Sequence, residues 1–516
     1  MVSGLIYCLV VFIAIYSLNP VLILFVGTCT FIFWWILKTV SYYKNLPPGP
    51  WGIPILGSLP FMSNKPPHKL YMEMCEQYGD VFSVQLGTNL FVGIGSAKLM
   101  KELFNRADST GRPKTPLNSL MGGLGIIMSE GTLWKRQRTY LHEKFRALGV
   151  KLAPNERFEK IVVEELEELF INFDETEGKA VDPHLILGRH VHNVICQLMM
   201  SFRFEKDDQD FVKFNERITR GMKLFGMVHI GENFKPFLYL PGKQTVINEI
   251  KRNLKDICKF HGDHIKQRVK KREELASKPE NLLDFYIDSS ANNNINDDSK
   301  SQIFPGVKPE DQIIQVMNDL FSAGMETSLS SLLWCMVIMV REPEFARKVR
   351  EEIRKGVNPG QLITMEHRLS MPYVEAVIFE TMRVASIVPL GTIHVNETDW
   401  QVEGYTIPAG SNIVPLINKM NMDPEMYPEP EQFKPERFIK EGRFHAANFL
   451  QFGVGQRMCL GSMFARIELF LFFANIMNTY ELILPEDAPV PGLEGSLGVT
   501  HAPFPYELSF KRLNRQ

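Results

Sequence analysis

One long run of the chain, Pro309–Arg341 (PEDQIIQVMNDLFSAGMETSLSSLLWCMVIMVR), is apolar on too many sides to lie on a protein surface. A surface helix carries one apolar stripe opposite a polar face, whereas this run has apolar side chains around most of its circumference. Such a helix needs protein on all sides, and 516 residues are enough to supply it. We therefore expect a large, mostly helical body with this helix in its middle.

The remaining pattern agrees with a mostly α protein with small β-sheets. Between residues 130 and 275, apolar residues recur at spacings of three and four, which is typical of helices. Short β-like runs with turn glycines predict strands near residues 80–95 and 390–415. The polar, asparagine-rich residues 289–306 predict a flexible surface loop.

The amino terminus is the most biased region, because residues 1–37 contain no Asp, Glu, Lys or Arg. Residues 21–37 alone would span about 25 Å as a helix, most of a bilayer core. A cleaved signal peptide fits poorly because no basic segment precedes the apolar run. The lysines after the run favour a cytosolic body. We expect residues 1–44 to form a membrane anchor, and whether residues 3–18 also span the bilayer stays open.

Charge and cysteine content exclude several classes of protein. The 57 Lys and Arg nearly balance the 59 Asp and Glu, which gives a net charge of −2 and no sign of a nucleic-acid partner. Seven scattered cysteines argue against a disulfide framework and for a reducing compartment. His190 and His192 are the nearest approach to a metal-binding pair, and packing or hydrogen bonding explains them better.

The segment Phe452–Gly461, FGVGQRMCLG, places one cysteine among three glycines just before an apolar helix. Backbone N–H groups and the positive end of that helix would stabilise a thiolate at Cys459. A lone thiolate suits haem iron, because the macrocycle supplies the other ligands. The alternative is a buried structural cysteine in a glycine-rich turn, but the complete F-G-x-G-x-R-x-C-x-G pattern favours the iron ligand.

This loop resembles the cysteine-ligand loop of the cytochrome P450 family, the haem-thiolate monooxygenases. Further motifs follow the family's order and spacing: the PPGP hinge at Pro47–Pro50, W-x-x-x-R at Trp134–Arg138, the oxygen-activation segment at Ala323–Ser328, E-x-x-R at Glu380–Arg383, and its partner motif at Pro435–Phe438. The resemblance covers residues 45–512 and implies one cytochrome P450 haem domain there.

The resemblance also implies a cofactor, haem b (iron protoporphyrin IX), with Cys459 as the axial iron ligand and O2 as co-substrate. The expected haem contacts are Trp134, Arg138, Arg457, His394 and, as a weaker candidate, Arg112 for the propionates, with Phe452, Gly453, Gly461, Ala323 and Gly324 around the ring.

The catalytic residues are expected at a candidate kink of the central helix. Gly324 and Thr327 share a helical face at i, i+3. Given Cys459, the resemblance implies that Thr327 donates protons to dioxygen and that Glu326 relays them. The alternative is ordinary helix packing, with the threonine hydroxyl bonded back to a carbonyl.

A second group of residues, which contains Glu380 and Arg383, is expected to have a structural role. The spacing of Glu380 and Arg383 places them on one helical face. As an exposed pair they would contribute under about 1 kcal/mol. The resemblance instead implies a buried triad with Arg437 that supports haem retention.

Electrons must come from a partner, because the chain has no dinucleotide-binding motif. The resemblance implies NADPH delivered through NADPH-cytochrome P450 reductase, with cytochrome b5 as a second candidate partner. We expect docking at Lys135, Arg136, Lys144 and Arg146, although a solvated helix face would look the same.

The chain resembles animal microsomal members, including arthropod steroid and xenobiotic hydroxylases, which implies the endoplasmic reticulum membrane. Expected substrate-facing stretches are Thr115–Met128, Leu224–Leu240, Val316–Thr327, Val388–Thr392 and Thr500–Pro505. Their apolarity suits a steroid, fatty acid or xenobiotic. The rival functions are an O2-independent hydroperoxide isomerase on the same fold and a non-enzymatic haem carrier or sensor.

Overall fold

Helices dominate the computed structural model, which describes residues 20–53, 55–62, 65–115, 118–228, 239, 242–275, 278–291, 303–359 and 361–513. The helices are α1 (Pro20–Tyr43), α2 (Pro67–Tyr78), α3 (Ala97–Phe104), α4 (Gly131–Ala147), α5 (Arg157–Asp174), α6 (Pro183–Met200), α7 (Gln209–Val228), α8 (Lys243–Leu275), α9 (Leu282–Ala291), α10 (Pro309–Arg341), α11 (Pro343–Ile353), α12 (Pro372–Ala385), α13 (Ile417–Asn421) and α14 (Ser462–Thr479). The strands are β1 (Val81–Leu86), β2 (Asn89–Ile94), β3 (His394–Val395), β4 (Trp400–Val402), β5 (Tyr405–Ile407), β6 (Asn412–Pro415), β7 (Ile439–Lys440), β8 (Arg443–Phe444), β9 (Tyr480–Ile483), β10 (Gly495–Leu497), β11 (His501–Pro503) and β12 (Ser509–Arg512).

Helix α10 lies in the middle of the body, as its apolar sequence predicts. It packs against α6, α8, α12 and α14. Trp334 and Cys335 near its carboxyl end are fully buried. By length and hydropathy α10 would also pass as a membrane span, but the protein itself covers most of its apolar stretch. The predicted central helix is confirmed.

The strands form small sheets beside the helical body. The largest described sheet has the order β1-β2-β6-β3, with β2 and β6 parallel and the other pairs antiparallel. The strands predicted near residues 80–95 and 390–415 are therefore confirmed. The pairs β9–β12 and β10–β11 were not predicted, because strands of three or four residues give too little alternation to detect.

Helix α1 differs from every buried helix of the body in its surroundings. Its large apolar side chains, including Phe25, Phe33 and Trp34, are exposed. Its apolar stretch, Leu24–Leu37, is short, and an exposed apolar helix at this place is consistent with an anchor. Residues 3–18, for which a second span was left open, lie outside the described residues.

The loop predicted at residues 289–306 has different bounds in the structure. Helix α9 continues to Ala291, so the first residues of the predicted loop are helical. Phe304 is buried against the core, which orders the other end. Residues 292–302 lie outside the described part of the chain.

Candidate active site

The cysteine loop is held by its own backbone immediately before α14. The Cys459 N–H donates to Phe452 O at 2.7 Å. Gly453 and Gly455 have φ of 73° and 74°, which favour glycine. A Cβ on Gly455 would lie 2.0 Å from Phe104 O, so only glycine allows this close approach. The loop therefore presents the sulfur in one fixed position.

Cys459 Sγ faces an internal cavity rather than bulk solvent. Its side chain is exposed to that cavity, but the dense protein around it raises the pKa of the thiol by desolvation. The Gly461 N–H and the Arg138 guanidinium oppose this shift because both stabilise the thiolate. A metal would remove the proton outright.

The cavity has a volume of about 1550 Å³. Pockets for drug-sized ligands typically measure about 300–1,000 Å³, so there is room for a macrocycle and a substrate together. Its walls include the cysteine loop, the Ala323–Ser328 face of α10 and residues 387–394.

The charges of two buried arginines at the cavity wall are only partly offset, by Glu130 for both and by Glu397 for Arg457. Arg457 donates to Thr110 O at 2.7 Å and to Ser129 O at 2.7 Å, and Arg112 donates to Ile127 O at 2.9 Å. Neither forms an ion pair with a described residue. Desolvation and mutual repulsion lower the pKa of Arg457 to about 8, and desolvation lowers that of Arg112 to about 10. Carboxylate groups such as haem propionates would supply the missing charge, so these residues fit the predicted cofactor.

The other predicted propionate contacts lie at the same wall. The Trp134 ring lies 3.9 Å from Arg457 Cζ, and Arg138 donates to Met458 O at 2.5 Å. His394 Nδ1 lies 2.7 Å from Ser109 O, which can only accept, so that nitrogen carries the proton. Burial lowers the pKa of His394, so its neutral ring has no second N–H. His394 could donate a hydrogen bond to a propionate only if the negative carboxylate stabilised the doubly protonated, charged form of the His394 ring.

The part of α10 around Thr327 shows features of both interpretations made from the sequence, proton donation to the cavity and ordinary helix packing. Thr327 lines the cavity, but its hydroxyl donates to Ala323 O at 2.6 Å. A Cβ on Gly324 would lie 2.8 Å from Ile195 Cδ1, so this glycine also admits α6. The segment of the candidate kink lies inside α10, which is helical without interruption from Pro309 to Arg341.

Glu326 does not line the cavity beside Thr327. It is buried, and its Oε2 lies 3.5 Å from Thr219 Oγ1 on α7. Desolvation raises the pKa of its carboxyl group. The structure thus separates the acid and the alcohol that the sequence places next to each other.

The residues of the E-x-x-R motif form a buried ionic network. Arg383 donates to both carboxylate oxygens of Glu380, at 2.7 and 2.8 Å, and Arg437 donates to Glu380 at 3.1 Å. Arg383 also donates to Asn421 O and Pro430 O, at 2.7 and 2.8 Å. The network therefore fixes the segment that precedes the cysteine loop.

Four of the five expected substrate-facing stretches contribute to the cavity. They do so through Asn118, Met121, Ile126, Ile127, Met128, Asn318, Asp319, Leu320, Ser322, Ala323, Gly324, Thr327, Val388, Pro389, Leu390, Gly391, Thr392, Thr500, His501 and Phe504. Much of Leu224–Leu240 lies outside the described residues. The α7 side of the cavity is formed by Ile218, Gly221 and Met222, just before that stretch.

Sequence reasoning missed a fully buried acid, Glu468 on α14. No described residue forms a well-shaped hydrogen bond with either carboxyl oxygen. Burial raises the pKa of Glu468 to about 8, and a weaker contact with the Ser328 hydroxyl opposes the shift only in part. An acidic residue within the apolar run ELFLFF is the signal that could have drawn attention to it.

We expect Glu468→Gln to stabilise the protein increasingly as pH rises. A carboxyl whose folded pKa is about 8 and whose ordinary value is 4.5 supports folding below pH 4.5 and loses that support as pH rises towards 8. The amide does not titrate, so the difference in unfolding free energy should grow by about 1 kcal/mol per pH unit from pH 6 to 8. Denaturant titrations of both proteins at each pH measure it. A difference independent of pH would contradict the assignment.

The described residues contain no cluster of three His, Cys, Asp or Glu able to hold a bare metal ion. A single sulfur facing a cavity this wide instead suits a metal that is carried by a macrocycle. A cysteine sulfur as the protein ligand of such a metal defines the class of haem-thiolate proteins. The chain belongs to the cytochrome P450 family, whose family model matches residues 47–510. It is therefore a monooxygenase of the oxidoreductase class, with haem as cofactor and O2 as co-substrate.

Its relatives come from an insect and from mammals. The chain is 40% identical to cytochrome P450 18a1 of Drosophila melanogaster over 93% of this chain and 89% of that protein. It is 31% identical to cytochrome P450 306a1 of Drosophila melanogaster (90% and 89%) and 29% identical to human cytochrome P450 2U1 (91% and 90%). The predicted family and the animal type are confirmed.

Proposed function

We propose that the protein is a membrane-anchored monooxygenase that inserts one oxygen atom of O2 into a steroid, fatty acid or xenobiotic. Electrons come from NADPH through NADPH-cytochrome P450 reductase, and cytochrome b5 is a second candidate donor. Residues 1–44 anchor the chain in the endoplasmic reticulum membrane with the body, residues 45–512, in the cytosol. The observation that carries the proposal is Cys459 facing a cavity large enough for haem and a substrate.

Haem, when bound, supplies the activation of dioxygen and the oxidising power. The chain would contribute position and charge: Cys459 would hold the iron, while Arg112 and Arg457 would offset the propionates. The loop, α10 and residues 387–394 enclose the substrate and limit access of water.

Thr327 Oγ1 is the cavity-lining hydroxyl of α10 to which we assign the proton-donor role. Its proton points to Ala323 O in the resting geometry, and rotation about χ1 would turn the hydroxyl into the cavity. Glu326, on the α7 side, resupplies that proton through water or through movement of its side chain.

The reductase docks at the basic residues of α4. Lys135 and Arg146 are exposed. Lys144 lies 2.7 Å from Glu143 and 5.1 Å from the Tyr140 ring, so part of its charge already has an internal partner. The same helix contributes Trp134 and Arg138 to the cavity wall that also includes Cys459, which supports docking on this side of the protein.

The test is a panel of steroids, fatty acids and pesticides, screened first for shifts of the haem absorption band. Compounds that bind are then incubated with NADPH and reductase, and the products are identified. Incorporation of oxygen from labelled O2 supports the proposal. Turnover of hydroperoxides without NADPH would favour the isomerase, and tight binding without substrate-dependent NADPH consumption would favour a carrier or sensor.

We expect Thr327→Ala to keep consuming NADPH while most product is replaced by hydrogen peroxide. Removing a positioned proton donor typically costs about 10²- to 10⁴-fold in the step it serves, whereas electron supply is untouched. The ratio of product to NADPH measures the effect. Thr327→Ser keeps a hydroxyl and should stay close to wild-type coupling. Unchanged coupling in Thr327→Ala would contradict the proton role.

A further inference from the structure

Two histidines from distant parts of the chain line the same cavity. His68 lies in the first turn of α2, and His501 is the first residue of β11. Their ring centroids are 6.4 Å apart. The activity proposed above uses neither side chain. We call these two side chains the histidine pair.

His501 presents a fixed hydrogen-bond acceptor. Its Nδ1 lies 2.6 Å from Ala385 O, and since a carbonyl oxygen can only accept, Nδ1 carries the proton. Burial lowers the pKa of His501, so its ring is neutral at neutral pH. The remaining nitrogen, Nε2, has a free lone pair and no hydrogen-bond partner among the described residues. The ring orientation is therefore set by the protein, while Nε2 is left for a ligand.

His68 has no hydrogen-bond partner of its own. Its Nδ1 is buried without a partner, and its other nitrogen has none among the described residues. Burial, with repulsion from His501 and Lys69, lowers the pKa of His68 to about 4. The neutral ring then has one N–H and one lone pair. A buried polar group without a partner costs free energy, which a ligand in the cavity could recover.

A hydroxyl group matches the hydrogen-bonding capacity of the histidine pair. It can donate to His501 Nε2 and accept from the His68 N–H with the same oxygen. Two such bonds of about 2.8 Å join nitrogens about 4–5 Å apart, which rings at this centroid separation allow. A ketone or ether oxygen can only accept. A carboxylate also cannot donate, and it would meet two neutral rings rather than cations.

The position of the histidine pair along α10 suggests the shape of the ligand. His501 O accepts from Trp334 Nε1 at 2.9 Å. Trp334 is seven residues after Thr327 on α10, which is about 10 Å along the helix axis. The histidine pair is therefore displaced from Thr327 by a distance of this order. An elongated molecule could reach both ends of this distance.

We propose that His68 and His501 form a hydroxyl-binding subsite, which holds one end of an elongated apolar alcohol while a distant carbon of the same molecule faces Cys459. The inference rests on the proposed function and deepens it, because it names the substrate class as apolar alcohols. The subsite itself is a binding property, so its test needs no turnover.

Three variants separate the two hydrogen bonds from ring packing. His501→Phe keeps a ring but removes the acceptor, and it also leaves Ala385 O without its partner. His68→Phe removes the donor and breaks no hydrogen bond to a described residue. His264→Phe is the matched control, because His264 Nδ1 also bonds to a backbone carbonyl, Phe260 O at 2.9 Å, on α8 outside the cavity wall that the described residues form.

The test is spectral titration of the haem-loaded full chain with dodecanol, dodecyl methyl ether and dodecane. Wild-type protein should bind dodecanol roughly fivefold more tightly than the ether, because only the alcohol can donate to His501. His501→Phe should lose this preference. His68→Phe should keep it, but should bind both oxygen compounds roughly fivefold more weakly relative to dodecane. His264→Phe should match wild type, and imidazole, which binds iron directly, should bind all four proteins equally.

Several results would overturn the inference. One is a wild-type protein that does not distinguish dodecanol from the ether. Another is tighter binding of dodecanoate than of dodecanol, which would show that the histidine pair acts as a cation. Equal losses for dodecane and dodecanol in His68→Phe would assign the effect to shape. If His501→Phe does not fold, the wild-type ratio and His68→Phe still decide. Failure of the proposed function would appear instead as absence of NADPH-dependent product while the preference for dodecanol persists.

Discussion

Cys459→Ser is expected to abolish the red-shifted Soret band of the reduced, carbon monoxide-bound protein and to lower monooxygenase turnover by more than about 100-fold. The thiolate donates electron density to the iron, and a serine hydroxyl at the same position cannot replace it. Loss of an outer partner of a metal ligand already costs about 10- to 100-fold, so loss of the ligand itself should cost more. Difference spectroscopy and product formation with reductase measure both effects.

Cys75→Ser is the matched control. Cys75 is buried away from the cavity, 3.6 Å from Asp80 Oδ1, where a serine hydroxyl can make a similar contact. This variant should keep the red-shifted band and its turnover. If Cys459→Ser retained both in folded protein, the iron would have another ligand and the proposed site would be wrong.

Glu380→Ala is expected to have the largest effect on folding, with little or no soluble, haem-loaded protein recovered. It leaves Arg383 charged and fully buried, and breaking a buried pair in this way costs about 3–5 kcal/mol. That is a large share of the stability of an ordinary domain. Soluble yield and the ratio of haem to protein measure the loss.

An exposed pair of similar spacing provides the comparison. Arg347 and Glu351 interact at 2.5 Å on α11, with side chains 64% and 53% exposed. Glu351→Ala should cost under about 1 kcal/mol and leave the yield unchanged. The double variant Glu380→Leu/Arg383→Met should lose less than Glu380→Ala alone, because it leaves only Arg437 without its carboxylate instead of both arginines. Equal losses in Glu380→Ala and Glu351→Ala would show that burial of the network is unimportant.

The sequence predicts the central helix and the cysteine loop because both are local patterns: apolarity around one helix, and glycines around one cysteine. The direction in which the Glu326 side chain points cannot be predicted from neighbouring residues in the sequence, because it depends on how α7 packs against α10. The same limit applies to the hydrogen bond from Gly125 N to the Gln312 side chain, whose partners are 187 residues apart. Polar residues in an apolar helix mark such sites, but they do not name the partner.

Thr327 shows a different limit. Its position on the cavity face follows from helical spacing, which the sequence supplies. Whether its hydroxyl bonds to Ala323 O or points to the cavity is a choice between rotamers, and no pattern of residue types determines it.

The only partly offset guanidinium groups of Arg112 and Arg457 have a consequence for how the protein matures. Until the tetrapyrrole arrives, two like charges are packed together in the interior, and their repulsion acts against closing the final structure. We therefore expect cofactor insertion to be coupled to folding. The yield of native enzyme in a cell should then depend on its porphyrin supply as well as on translation.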